Sequence, residues 1–176
     1  MMTKSILFLD LDGTLIKTSS GNTFPKDRYD MEPVQGVFEA IKRMHESNPL
    51  SHIFIVSNQG GVSLGVQTDE DVKYRIERTI RELSAFVNDD SIRYDYRYAT
   101  SNDPADPMRK PNPGMIEHLL QFVEAEDLDL LIDSSLMVGD ASGKPGDWSD
   151  SDRRTAERCG MDYMDVEDFI VLDILD

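Results

Sequence analysis

The stretch Ser5-Ile6-Leu7-Phe8-Leu9-Asp10-Leu11-Asp12-Gly13-Thr14 decides the fold. Residues 5–9 form an apolar run of strand length, and it stops abruptly at two aspartates and a glycine, the pattern of a buried strand feeding a turn. Polar chemistry thus starts at the C-terminal end of a strand.

The same pattern recurs outward along the chain. Residues His52–Val56 are a second buried strand followed by Ser57-Asn58-Gln59-Gly60-Gly61, and Ser135–Val138 is another that stops at Gly139-Asp140. Between them, Tyr94–Tyr98 alternates like a half-buried strand and leads to a loop over 100–114 rich in Pro, Asp and Asn, ending in Arg109-Lys110-Pro111. Its tyrosines fit ordinary sheet packing better than a base-stacking platform. Helical spacing predicts one helix from Pro33 through Val34, Val37, Phe38, Ile41 and Met44. A second is capped by Asp69 and carries Val72, Ile76, Ile80, Leu83 and Val87 inward; a third carries Met115, Ile116, Leu119, Leu120 and Val123. Residues 150–159 read as helix, 162–164 as a short strand and 166–175 as a closing helix, while 17–30 read as a loop or small hairpin. Alternating strands and helices predict an α/β fold with a central parallel sheet covered on both faces, because parallel neighbours need crossover connections. In such sheets ligands sit at the strand carboxyl ends, where Asp10, Asp12, Ser57, Asn58, Lys110 and Asp140 converge.

With 176 residues, 39% hydrophobic and 30% charged, the chain is expected to form a single domain over 1–176 with a real core. No apolar run approaches the roughly 20 residues of a membrane span, and Met1–Thr3 leaves no room for a signal peptide's apolar region. The lone Cys159 excludes an internal disulfide or a cysteine-cluster zinc site, so the expectation is a cytoplasmic protein. Net charge is −16, and residues 124–176 carry 16 acidic against 4 basic side chains. Such a surface repels polyanions, so binding along extended duplex or on an anionic membrane is excluded as a main role.

Two aspartates at i and i+2 after a strand can share one site, with Gly13 permitting the turn. One carboxylate can attack a phosphorus made electrophilic by a divalent cation while the other handles protons. Asp140 completes an oxygen-rich site for which Mg²⁺ is the natural cation, and Lys110 and Ser57 can meet phosphoryl oxygens. His45, His52 and His118 are scattered and read as structural or surface residues. Trp148, in the loop after Asp140, walls the pocket, stacks on a base or simply packs its loop.

These residues carry a resemblance. Asp-Leu-Asp-Gly-Thr at 10–14, Ser57 after its strand, Lys110-Pro111 and Gly139-Asp140, in that order, resemble the four motifs of the haloacid dehalogenase superfamily. The resemblance implies a Rossmann-like three-layer sandwich and Mg²⁺-dependent phosphoryl transfer. In it Asp10 is the nucleophile, Asp12 the general acid and base, and Asp10, the Asp12 carbonyl oxygen and Asp140 hold the metal. The segments from Ser20-Gly21 to Phe24-Pro25 and from Gly139 to Arg153 resemble more narrowly the phosphatase domain of polynucleotide kinase 3′-phosphatases. The chain departs from many eukaryotic relatives in a shorter loop between Pro145 and Asp147. It also has no Gly-x-x-x-x-Gly-Lys-Ser/Thr segment for a kinase.

The resulting expectation is a phosphomonoesterase acting on the 3′-phosphate of polynucleotide (DNA) ends through an aspartyl-phosphate. Ser57, Asn58, Arg109 and Lys110 are the candidate substrate contacts; Ser57 and Lys110 join Asp10 and Asp12 as catalytic candidates. Asp147 and Asp152 are candidates to orient metal-bound water or Lys110, or to cap the following helix, with Asp152 favoured. Two alternatives stay open: a small-metabolite phosphatase of sugar or histidinol phosphate type, and a non-catalytic repair or interaction module. Candidate partners are thus a phosphorylated polynucleotide end or a small phosphomonoester, with a separate kinase or repair partner left open. The gaps from 15 to 51 and from 60 to 109 have no room for an inserted cap domain, which predicts an open site.

Overall fold

A computed structural model describes residues 5–172. In chain order its strands are β1 (Ser5–Leu9), β2 (Ile16–Lys17), β3 (Glu32–Pro33), β4 (Leu50–Asn58), β5 (Arg93–Ala99), β6 (Leu136–Gly139) and β7 (Asp162–Asp165). Its helices are α1 (Val37–Ser47), α2 (Asp69–Val87), α3 (Gly114–Leu120), α4 (Leu128–Asp133), α5 (Ser151–Cys159) and α6 (Val166–Val171). Five strands form one sheet in the order β5-β4-β1-β6-β7, and every pairing in it is parallel.

The central strand β1 is wholly buried and its alternation splits the core in two. Leu7 and Leu9 face a layer built by α1, α2 and α6, where Val37, Ile41, Ile76, Leu83 and Phe169 are buried. Ile6 and Phe8 face the opposite layer, with Met115, Ile116 and Leu119 from α3, Leu131 from α4 and Ala156 from α5. Each face buries aliphatic side chains at about 25 cal/mol per Å² of apolar area, and this burial drives the three-layer arrangement. Register then places Leu9 beside Ile55 and Val138, so β1, β4 and β6 end together on one edge.

Several boundaries differ from the sequence expectations. The first helix begins at Val37 instead of Pro33, because Pro33 pairs in β3 and Gly36 turns the chain with φ 86°, a conformation that favours glycine. Thr68, not Asp69, caps α2 by accepting from the Asp71 N–H at 3.1 Å. Helix α4 was not anticipated; Asp127 caps it by accepting from the Leu130 N–H at 3.0 Å. The closing helix ends at Val171, and the expected continuation over 173–175 lies outside the described residues. Between β1 and α1 the chain makes only the two-residue β2–β3 ladder and its loop, so no layer covers the strand ends from that side.

Candidate active site

Asp10 follows the last residue of β1 and its backbone N–H donates to Val138 O at 3.1 Å, which continues the sheet pairing one residue beyond the strand. Its carboxylate is buried. Lys110 arrives from the loop after β5, also buried, and its ammonium donates to Asp10 Oδ1 (2.7 Å), Asp152 Oδ1 (2.6 Å) and the Val56 carbonyl (2.9 Å). All three of its N–H donors are thereby used. Asn58, at the end of β4, fixes the Lys110 backbone from both sides: its Nδ2 donates to Lys110 O at 3.0 Å and its Oδ1 accepts from Lys110 N at 2.9 Å.

Asp140 follows β6 as Asp10 follows β1. Both glycines of the sequence motifs make room for carboxylates: a Cβ at Gly13 (φ 84°) would collide with the Asp140 carboxylate, and one at Gly139 with that of Asp152. The acids are crowded. Burial first, with the Asp152 and Asp140 charges adding to it, holds Asp10 well above the usual carboxylate range against the opposing pull of Lys110. Asp140 keeps an open outer side, yet desolvation of its carboxyl and the Asp152 charge push it up to about 6. Burial disfavours charge on Lys110, but Asp10 and Asp152 outweigh it and raise its pKa above the ordinary lysine value.

The Asp12 side chain turns the other way. Its Oδ1 accepts from Arg75 Nη2 at 2.5 Å and its Oδ2 from Gln59 Nε2 at 2.7 Å, and the same Gln59 nitrogen donates to Ser57 Oγ at 2.7 Å. Asp10, Asp140 and Asp152 offer carboxylate oxygens within 4.8 Å of one another. Three hard oxygen donors without sulfur or imidazole fit Mg²⁺.

Asp10, Asp12, Ser57, Asn58, Lys110, Asp140 and Asp152 line one shallow cleft of about 150 Å³. That is small beside the roughly 300–1,000 Å³ of pockets that enclose a whole ligand, so it accepts a phosphoryl group while the remainder of a substrate lies over the rim. Two wider clefts flank it. One of about 200 Å³ adjoins Asp12 and is walled by Phe24, Pro25 and the Gly60-Gly61 backbone. Another, of about 450 Å³, adjoins Asp140 and includes Lys144, Trp148 and Glu167; the Trp148 indole stands fully exposed at its mouth.

Two expected site residues lie elsewhere. Arg109, expected to contact phosphate, donates instead to the Ser101 carbonyl at 3.0 Å within its own loop and does not line the shallow cleft. Asp147 accepts from the Ser142 N–H (3.2 Å) and the Lys144 N–H (2.9 Å), so it folds its loop on itself and orients neither Lys110 nor the helix start. Asp152 is the acid that meets Lys110. It also accepts from the Ala141 N–H at 3.0 Å, so it is itself fixed and supports Lys110 together with Asn58 and the Val56 carbonyl. Asn58, expected as a substrate contact, has its amide committed to the Lys110 backbone.

Arg75 and the role of Gln59 were missed. Arg75 sits three residues after Val72 on the inner stripe of α2, and a cation at an inward position of an apolar stripe was the available signal.

The family model described as Polynucleotide kinase 3 phosphatase matches residues 5–170. A bifunctional polynucleotide phosphatase/kinase of Schizosaccharomyces pombe is 32% identical over 174 residues, covering 96% of this chain and 38% of that protein. The chain therefore spans well under half of that relative. A polynucleotide 3′-phosphatase of Saccharomyces cerevisiae is 25% identical, over 90% of this chain and 84% of that protein. The fold matches the structure of D,D-heptose 1,7-bisphosphate phosphatase from B. bronchiseptica, complexed with magnesium and phosphate. The TM-score is 0.65 at 19% identity, over 90% of this chain and 78% of the other. With its parallel sheet, its paired strand-end aspartates and a family match along nearly its whole length, the chain belongs to the polynucleotide kinase 3 phosphatase family.

Proposed function

We propose that residues 1–176 form one phosphatase domain that removes the 3′-phosphate from polynucleotide ends through an aspartyl-phosphate on Asp10. The observation that carries the chemistry is the pairing of a buried Asp10 carboxylate, held at 2.7 Å by Lys110, with a second carboxylate, Asp12, held apart from it. An Asp10 oxygen attacks phosphorus and the bond from phosphorus to the ester oxygen breaks, with Asp12 giving that oxygen a proton. Water then attacks the same phosphorus and gives its proton to Asp12. The bond to Asp10 breaks, and inorganic phosphate leaves. Lys110 faces the phosphoryl oxygens with a fixed positive charge, and Ser57 Oγ offers them a hydroxyl from the end of β4. Asp10 and Asp140, with the Asp12 carbonyl oxygen, would hold Mg²⁺, since Asp152 is committed to Lys110. The ion supplies charge neutralisation for the attack on phosphorus.

The polynucleotide substrate is supported by the family match and by the uncovered site, which leaves binding energy to neighbouring nucleotides. The fold match to a heptose bisphosphate phosphatase favours a sugar phosphate as the second reading. The two separate in an assay of phosphate release with Mg²⁺ on a 3′-phosphorylated single strand, a 3′-mononucleotide and a heptose bisphosphate. The single strand is expected to exceed the mononucleotide in kcat/KM by at least about tenfold, or about 1.4 kcal/mol. Equal rates on both, or preference for the sugar, would overturn the polynucleotide reading and leave the phosphatase chemistry standing.

A further inference from the structure

Arg75 is the largest fully buried side chain of the described residues, with 0% exposure. It projects from the second turn of the 19-residue α2 and gives Nη2 to Asp12 Oδ1 at 2.5 Å. Its Nε and Nη1 have no hydrogen-bond partner among the described residues. As a fold stabiliser this is a poor arrangement. A desolvated guanidinium with one acceptor and two nitrogens unpartnered among the described residues is worth less than an aliphatic side chain in the same stripe, whose neighbours Val72 and Ile76 are fully buried.

The two oxygens of Asp12 stand in unequal environments. Oδ1 is held by a permanently charged group anchored on a long helix. Oδ2 is held by Gln59, a neutral amide whose same nitrogen already has Ser57 Oγ at 2.7 Å as a second acceptor. Freeing Oδ2 costs one hydrogen bond from a neutral donor that keeps Ser57 Oγ as an acceptor; freeing Oδ1 would strip a buried cation of its only side-chain partner among the described residues. Each carboxyl oxygen keeps a second lone pair that can carry a proton, but a proton on Oδ1 would sit against the buried guanidinium, whereas Oδ2 meets only a neutral amide, so Oδ2 is the oxygen suited to carry it.

We propose that Arg75 is a positioning residue for the proton-transfer steps: it pins Oδ1 of Asp12, so that Oδ2 is the oxygen that exchanges a proton with the leaving group and then with water. The proposal rests on Asp12 being the acid and base of the proposed mechanism. Substrate binding and attack by Asp10 do not pass through Arg75, so its loss spares the formation of a phosphoryl-enzyme from an ester whose leaving group needs no proton.

The test compares Arg75→Met, Arg75→Lys, Asp12→Asn and wild type on p-nitrophenyl phosphate and on a 3′-phosphorylated oligonucleotide, in steady state and by rapid mixing. Arg75→Met is expected to lower kcat on the oligonucleotide about 100-fold with KM within about threefold, the size of a general acid–base contribution. On p-nitrophenyl phosphate it is expected to release one equivalent of nitrophenolate in a burst and then to turn over slowly, because the phosphoryl-enzyme forms and its hydrolysis lags. Arg75→Lys, which keeps the charge and the fold, should show the same burst with a smaller loss. Asp12→Asn serves as the reference. If it gives no burst, the reading of Asp12 fails. If it gives the burst while both Arg75 variants process the two substrates in the wild-type ratio without one, the proposal for Arg75 is overturned. If Arg75→Met does not fold, Arg75→Lys decides on the same criterion.

Discussion

An amide at position 10 keeps the shape of the carboxylate but cannot bond to phosphorus. Asp10→Asn is therefore expected to lose at least about 10³-fold in kcat in a phosphate-release assay, with its circular dichroism spectrum unchanged. A residual rate above about a tenth of wild type, a barrier change of only about 1.4 kcal/mol, would place the nucleophile elsewhere. The crowding of acids has a pH signature. With its folded pKa raised to about 6 from an ordinary 3.8, Asp140 binds its proton more tightly in the metal-free fold than in the unfolded chain. The fold consequently loses stability as pH rises from about 4 through about 6 and carries the full penalty above it. A cation needs the deprotonated carboxylate, so the rise in Tm on adding Mg²⁺ should be larger at pH 7.5 than at pH 5, and equal rises would count against Asp140 as a ligand. Asp10, Asp12, Lys110 and Asp140 were legible because each interrupts an apolar run or a loop at the one sheet edge where ligands gather. The Asp152–Lys110 bond spans 42 positions and depends on how α5 seats on the sheet, which no local pattern encodes. Arg75 was hidden for a related reason: helical periodicity identifies an inward face but not which side chain on it reaches beyond the core to a site.

At the level of elements, strands and helices were read from their periods, while their ends were decided by single residues. Gly36 delays α1, and Asp127 starts a helix whose leucines 128, 130 and 131 are too few to announce themselves by spacing. The loop before β3 shows how one side chain can hold a segment without secondary structure. Asp30 is buried and accepts from Ser20 N (2.8 Å), Ser20 Oγ (2.7 Å) and Lys26 N (2.9 Å), which closes the loop that carries Phe24 and Pro25 to the cleft beside Asp12. The Lys26 N–H first, then the other donors, lowers its pKa to about 2. The clamp's contribution is thus complete above about pH 4 and disappears as pH falls through about 2. Asp30→Ala should speed hydrogen exchange at the Ser20 and Lys26 amides by about tenfold or more at neutral pH, leaving β1 and β4 protected. Unchanged exchange at both amides would mean that the loop is held by other contacts.

For the whole molecule, charge and openness act together. A net charge of −16 opposes the approach of any phosphate ester, and among the described residues the shallow cleft itself holds a single lysine, already bonded to two carboxylates. Few substrate phosphates can be gripped, so log K for a 3′-phosphorylated strand against log salt should have a slope of magnitude about 3 or less. A steeper slope would reveal a basic track along the strand. The order β5-β4-β1-β6-β7 brings the ends of β1, β4 and β6 together and spreads the flanking loops to either side of Asp10. The sequence pattern foresaw that convergence. It was silent on the loops' own closure, in which Asp147 turns inward and Lys144 reaches Asp168 at 3.1 Å.

Trp148, the one tryptophan of the chain, stands free of the core at the mouth of the cleft beside Asp140. Its indole is already hydrated in the folded state, so denaturation hardly changes its surroundings. Tryptophan emission, the customary optical probe of unfolding, should stay nearly constant through the transition that circular dichroism of the backbone records. A marked red shift on adding urea would show that the indole packs against the protein. The same position turns the fluorophore into a reporter of the cleft alone, whose light changes with what arrives there and not with whether the chain is folded.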